Sequence, residues 1–362
     1  MPRLALPPLE RIPGGQSFAA LSRRVRTLII AAVLFLILFV LLLTMPVPYV
    51  VLSPGPTYNT LGTDPNGNTI IVIQGKKPAH TTGNLNLTTV EISGSKVTAL
   101  QALSAWLQGD EVVVPRAAVY PPGQTEEQTN QKNTEDFQFS QDNATAAALC
   151  ELGYPKGFGV VEVVPDGPAH GILDPGDRFI SVAGKPIHSR SALDAVLTAH
   201  KPGDTVNVVV NRHGKTVNAA VTLGKSPVTG HPYLGVLPDN TCLAPFTVDL
   251  GLGNQIGGPS AGLMFALGIM DKVGTVDLTG GKFIAGTGTI DAKGDVGPIG
   301  GIQLKMIAAR DKGATVFLAP AGNCDDVRGA TPDGLQVIKV TTLHGAVQDL
   351  LRIQHGQSVP SC

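Results

Sequence analysis

Gly257-Gly258-Pro259-Ser260-Ala261-Gly262, read together with Pro298-Ile299-Gly300-Gly301-Ile302-Gln303-Leu304-Lys305, decides how this chain is understood. Proline suits the first turn of a helix, so the first stretch predicts a helix opening at Pro259 or Ser260 and running to about Lys272. Small residues around Ser260 allow a second backbone to come close. A hydroxyl at a helix N-terminus faces free amides and the positive dipole end, where a developing oxyanion is favoured. An ordinary N-cap serine after a glycine loop looks the same, so the serine by itself specifies no chemistry.

Lys305 follows 45 positions later, on a helix predicted from Ile302 to Lys312. Its neighbours at i±3 and i±4 are Gly301, Ile302, Ala308 and Ala309, so no acid on that helix can pair with the ammonium. Kept from water, such a lysine would fall from a pKa of about 10.4 to about 7–8, a change of roughly 3–5 kcal/mol, and the neutral amine could take the Ser260 proton. The opposing reading is a solvated lysine, since Lys305 lies only about 20° round the helix from Lys312.

Around this pair, a strand near Phe246–Leu250, strands near Lys282–Ala285 and Thr315–Ala319, and the two helices make an α/β unit, set here at 227–352 and followed by a tail, 353–362. Upstream, Gly159-Val160-Val161-Glu162-Val163-Val164 leads into Pro165-Asp166-Gly167-Pro168-Ala169-His170-Gly171-Ile172-Leu173-Asp174-Pro175-Gly176-Asp177-Arg178-Phe179-Ile180-Ser181-Val182. Gly171 and Gly176 suit turns, Asp177 can bond turn amides, and Phe179, Ile180 and Val182 begin a strand. Gly184-Lys185-Pro186-Ile187, a helix near Ser191–Ala199 and strands at Thr205–Asn211 and Thr216–Leu223 complete a module at 155–226. That module resembles a PDZ domain of the bacterial protease-associated kind. The resemblance implies a groove that takes an extended peptide as an added strand, with Gly157, Phe158, Gly159 and Val160 at the loop that would cap its terminal carboxylate. A hairpin turn explains the same glycines.

The C-terminal motifs carry a second resemblance. Gly258-Pro259-Ser260-Ala261-Gly262, then Thr287-Gly288-Thr289-Ile290, then Gly297-Pro298-Ile299-Gly300-Gly301 with Lys305, look like the proteolytic domain of Lon-type serine proteases. It implies Ser260 as nucleophile, Lys305 as general base, Thr287 as the hydroxyl that holds the amine, and Gly258 and Ala261 as backbone donors to the oxyanion. With the features below, the whole chain is similar to membrane-anchored, PDZ-containing Lon-like proteases of bacteria, whose habit of forming rings implies self-association. Unlike full-length Lon, none of Gly75-Lys76-Lys77, Gly214-Lys215-Thr216 or Gly224-Lys225-Ser226 has the earlier glycine of a phosphate loop, so neither nucleotide nor any other cofactor is expected.

From Leu28 to Met45 no residue is charged, and Arg23, Arg24 and Arg26 stand before it. The stretch is about long enough to cross the hydrocarbon, and arginines on that flank keep a cytoplasmic N-terminus, 1–26, on the inner side. An uncleaved anchor at 27–45 is expected over a signal peptide, whose apolar region is shorter and which would need an Ala-x-Ala site after Met45. Everything beyond Pro46 then lies outside the cytoplasm. That side permits disulfides among Cys150, Cys242, Cys324 and Cys362; Cys242 and Cys324 would share a domain, but sequence fixes no pairing.

Between the span and the PDZ-like module, 46–154 reads as a small α+β region. It has strands at Tyr49–Leu52, Thr69–Ile73 and Leu85–Ile92, a helix at Lys96–Leu107, an exposed connector at Tyr120–Asp142, and a helix at Ala144–Leu152 capped by Ser140 or Asp142. Alternatively these strands join the protease sheet and the PDZ module is an insertion. The fold class is thus α+β and multidomain.

The 27 Lys and Arg balance 28 Asp and Glu, with no basic cluster among aromatics, which excludes a nucleic-acid partner. No His-x-x-x-His or Cys-x-x-Cys spacing points to a metal. Two other functions fit parts of the pattern. Gly258-x-Ser260-x-Gly262 also spells an esterase elbow, with His344 and His355 downstream, but an elbow leaves a strand directly and Gly251 to Gly258 is loop-like. A PDZ scaffold with a relic protease domain conflicts with the presence of both Ser260 and Lys305.

Overall fold

The computed structural model describes residues 22–94, 97–174, 176–212, 214–227, 229–242, 244, 246–252 and 256–362. Residues 1–21 of the expected cytoplasmic segment, and Lys96 at the start of an expected helix, lie outside the described residues. The chain divides into two units, 1–51 with 93–119, and 52–92 with 120–362.

In the first unit the Arg23–Thr44 helix has 22 residues, none buried, and is long and apolar enough to cross a membrane. Ser22 caps it, accepting from the Val25 N–H. Beyond it Pro46–Val47 pairs antiparallel with Val97–Thr98. The Ala99–Gln108 helix follows, opened by a capping box between Thr98 and Gln101 and closed by Gly109 at φ 83°. Val51, Val97 and Ala105 form a small core with Ala102 and Val113.

In the second unit, Asn84–Ile92, Phe283–Gly286, Val316–Pro320 and Gln336–Val340 lie parallel in that order, and residues 52–59 of the Tyr49–Asn59 strand run antiparallel beside Asn84–Ile92. All of Val316–Pro320 is buried, as expected for a parallel strand covered on both faces. The Gly262–Val273 helix is buried along its whole length and packs against Glu126–Glu151, where Phe137 meets Phe265 edge to face at 5.8 Å.

Residues 46–154 therefore do not make a region of their own. Asn84–Ile92 is a central strand of the protease sheet, and Ile71–Gln74 pairs with Thr247–Leu250. The expected connector is also corrected: Glu126–Glu151 is one 26-residue helix, capped by Thr125 and Gln128. Ser140 sits inside it rather than capping it.

A separate core, including Phe158, Val160, Phe179, Leu193 and Val208, belongs to the PDZ module. Its strand order is Lys215–Thr222, Thr205–Arg212, Arg178–Val182, Lys156–Val163, Val236–Cys242. The last strand extends the module past the expected boundary at 226. Disulfides join Cys150 to Cys242 and Cys324 to Cys362, so Cys242 and Cys324 are not partners.

Candidate active site

Ser260 stands one residue before Ala261, the N-cap of the Gly262–Val273 helix. Lys305 stands in the first turn of Ile302–Asp311, whose N-cap, Gly301, takes φ 69°. A side chain there would also run into Val90, so glycine is required. The helix starts meet across the sheet, and Lys305 Nζ donates to Ser260 Oγ at 2.7 Å and to Thr287 Oγ1 at 3.0 Å. Thr287, fully buried, donates its hydroxyl to the Ser260 carbonyl at 3.0 Å, and the Gly288 N–H donates to the same oxygen at 2.9 Å.

Lys305 is only 3 % exposed, whereas Lys312 faces solvent, so the two lysines do not share an environment despite their similar helical bearing. Burial lowers the Lys305 pKa to about 7, and no carboxylate offsets it.

The two backbone donors named from sequence part company. Gly258 gives its N–H to the Asn133 carbonyl at 2.8 Å and is not free for a substrate oxygen. Ala261 lies among the opening amides that a helix leaves without intrahelical partners. The Gly157–Val160 run is likewise not a loop: it forms part of the inner strand Lys156–Val163, paired to Val236–Cys242 on one side and touching Arg178–Val182 on the other. The strand order of that sheet ends in Lys215–Thr222 on one side and Val236–Cys242 on the other, the latter entered through Tyr233-Leu234-Gly235, with Gly235 at φ 75°. Between Val236–Cys242 and the Arg190–Leu197 helix lies a groove of about 390 Å³ whose lining mixes apolar Leu193, Leu197 and Val236 with polar Arg190, Asp194 and His231.

Near the chemistry, Asn133 and Asn323 were not named from sequence, and Ser140 was named only as a helix cap. Ser140 donates to the Pro259 carbonyl at 2.8 Å, and Asn133 holds Gly258, so the long helix fixes the loop before Ser260 from above. Buried Asn323 both accepts from the Ile299 N–H and donates to the Ile299 carbonyl, at 2.9 and 2.8 Å, which braces the turn before Lys305. The sequence signalled the long helix at its Ala144–Leu152 end and, at its start, by the Thr125-x-x-Gln128 capping box; nothing local marked Asn323.

Close packing here predicts the outcome of one substitution. A Cβ on Gly262 would come within 2.7 Å of Ile290 Cγ2 and 2.8 Å of Ser140 Oγ. Gly262→Ala should destabilise the second unit by about 1–3 kcal/mol through this overpacking, seen as a lowered denaturation midpoint with an unchanged slope.

Ser260 and the buried Lys305 thus stand at two helix starts beside the sheet, within the C-terminal part of the chain that a family profile covers. Residues 255–353 match the family profile of the Lon protease (S16) C-terminal proteolytic domain, and 129–223 match that of the PDZ domain. The chain is a protein with a PDZ domain and a Lon-type protease domain. It is 33 % identical to a Lon protease of Roseiflexus castenholzii over 28 % of this chain and 12 % of that one. It is also 33 % identical to Lon protease 2 of Bacillus subtilis, over 27 % of this chain and 17 % of the relative. The chain thus spans less than a fifth of the length of these relatives. Among solved structures, the PDZ domain of an SdrC-like protein from Listeria monocytogenes aligns at 27 % identity and TM-score 0.22, covering 23 % of this chain and 86 % of that one.

Proposed function

We propose that this chain is an ATP-independent serine endopeptidase that cleaves extended segments of extracytoplasmic proteins, with Ser260 as nucleophile and Lys305 as general base. The observation that carries the proposal is the 2.7 Å contact between Ser260 Oγ and an amine that is buried and has no acid beside it. Because Thr287 spends its proton on the Ser260 carbonyl, its oxygen can only accept from Lys305. When Lys305 is neutral, one N–H goes to Thr287 and the lone pair faces the Ser260 hydroxyl, ready to receive its proton as Oγ attacks a peptide carbonyl. The Ala261 N–H is the candidate donor to the oxyanion that forms. Protonated Lys305 then delivers its proton to the leaving amine, and water repeats the cycle on the acyl-enzyme.

The other assignments rest on separate observations. All four cysteines are paired, which fits folding in an oxidising compartment and an N-terminal helix kept as an anchor with its C-terminal side outward. No glycine-lysine pair has phosphate-loop spacing, so unfolding by a built-in motor is not part of the reading, and substrates arrive already extended. The Val236–Cys242 edge and the mixed polar and apolar groove beside it suit a substrate or regulatory peptide added as a strand.

The test is hydrolysis of a fluorescently labelled, permanently unfolded protein by the full chain across pH. Below neutrality the rate should rise about tenfold per pH unit and level off above about pH 7, where Lys305 has lost its proton. A rate that falls from pH 6 upward with the fold intact, or full activity in Ser260→Ala, rules the proposal out.

A further inference from the structure

We infer that the outward face of the Ala99–Gln108 helix, formed by Leu103, Trp106 and Leu107, is seated in the lipid headgroup layer beside the Arg23–Thr44 span. This rests on reading that span as a retained anchor.

The helix is inside out for a water-exposed element. It packs inward with small residues, Ala102 and Ala105, against Val51, Val97 and Val113. Its large apolar side chains point away: Trp106 is 70 % exposed, Leu107 68 % and Leu103 44 %. At about 100° per residue these three fall within an arc of about 100°, a continuous apolar stripe on the side a soluble helix would make polar. From Val97 to Gly109 the sequence holds no ionisable side chain.

The position of the helix says what covers the stripe. A 22-residue helix is about 33 Å long, close to the roughly 30 Å of a hydrocarbon core, so Met45 stands at its outer boundary. The Ala99 N–H donates to the Met45 carbonyl at 3.3 Å, and Pro46–Val47 pairs with Val97–Thr98. The Ala99–Gln108 helix therefore begins level with the end of the span and packs against it. A helix held against a span where it leaves the bilayer has lipid, not bulk water, on its free flank. Trp is the side chain best suited to that layer, apolar in its rings and with one N–H for the headgroup region. Met45 and Tyr49, both exposed in the same unit, extend the apolar surface around the exit point. Continuity with the span selects lipid over a second copy of the chain as the occupant.

Trp106 is the only tryptophan, so fluorescence of the unmodified full chain reports this site alone. The chain is placed in phosphatidylcholine nanodiscs at one copy per disc, with lipids brominated either near the headgroup end of the acyl chain or at its tip. The expected result is an emission blue-shifted from that of the unfolded chain, strongly quenched by the shallow bromines, less by the deep ones, and little by aqueous acrylamide. Quenching by acrylamide but not by either bromolipid, in a chain that has entered the disc, overturns the inference and leaves the anchor standing. Failure of the full chain to enter discs overturns both. Shielding from acrylamide that appears only in discs with two or more copies assigns the stripe to self-association and overturns the lipid assignment.

Discussion

Lys305→Met should abolish peptide hydrolysis and, at pH 7, make the second unit harder to unfold. Lys305 has a pKa of about 7 in the folded chain against an ordinary 10.5, because burial disfavours its charge. At about 1.4 kcal/mol per unit, holding this amine in place costs roughly 5 kcal/mol wherever the unfolded chain would be protonated and the folded one must either bury the charge or release the proton. Methionine keeps the straight apolar stem and removes that cost. It also forfeits the contacts to Ser260 and Thr287, at about 1 kcal/mol each, leaving a net gain of a few kcal/mol. Between about pH 7 and 10.5 the unfolded chain binds a proton the folded chain has lost, so wild-type stability rises with pH over that window. The advantage of Lys305→Met should therefore be largest below pH 7 and shrink toward pH 10, as read from denaturant midpoints by circular dichroism. A variant less stable than wild type at pH 6 would mean that the lysine is not dry.

Ser260→Ala and Lys305→Ala should each lower kcat by about 10⁴-fold or more, and the double variant should be no worse than the poorer single one. Residues that act as one unit lose their effect together, since a hydroxyl without its base and a base without its hydroxyl are equally idle. Independent losses that multiply in the double variant would show the two residues working separately. Secondary structure measured alongside guards against reading misfolding as lost chemistry.

Much of the site was legible because its signals are local. The Gly-Pro-Ser start, the absence of an acid at i±3 and i±4 of Lys305, and glycines demanded by turns all sit within a few residues of what they control. The helices at Gly262–Val273 and Ile302–Asp311 followed from them, the first opening two to three residues after the expected Pro259 or Ser260. The failures have a common cause in distance along the chain. Val236–Cys242 pairs with Lys156–Val163, 73 to 86 residues earlier, so the groove edge could not be read from the Gly157–Val160 run. Cys150 and Cys242 meet only because that strand returns to the end of the long helix. Glu126–Glu151 was read only at its Ala144–Leu152 end for another reason: its first half is polar all round, with Phe137 as its one deeply buried large side chain before the alanines from Ala144, so no apolar stripe announced the start. Gly258 was given an oxyanion role from its place beside the serine, but the neighbour that takes its N–H, Asn133, belongs to that unread helix.

The parallel pairing of Asn84–Ile92 with Phe283–Gly286 has a practical consequence for anyone cutting this gene into pieces. A fragment spanning 227–352 looks self-contained on paper, yet it would expose one flank of a mid-sheet strand and strip away Leu85 and Leu87, both fully enclosed in the intact chain. Any fragment that keeps this strand pair must start upstream of Asn84 and so carries the peptide-groove module as an internal passenger, and trimming from the amino end toward the serine should yield insoluble material before it yields an enzyme.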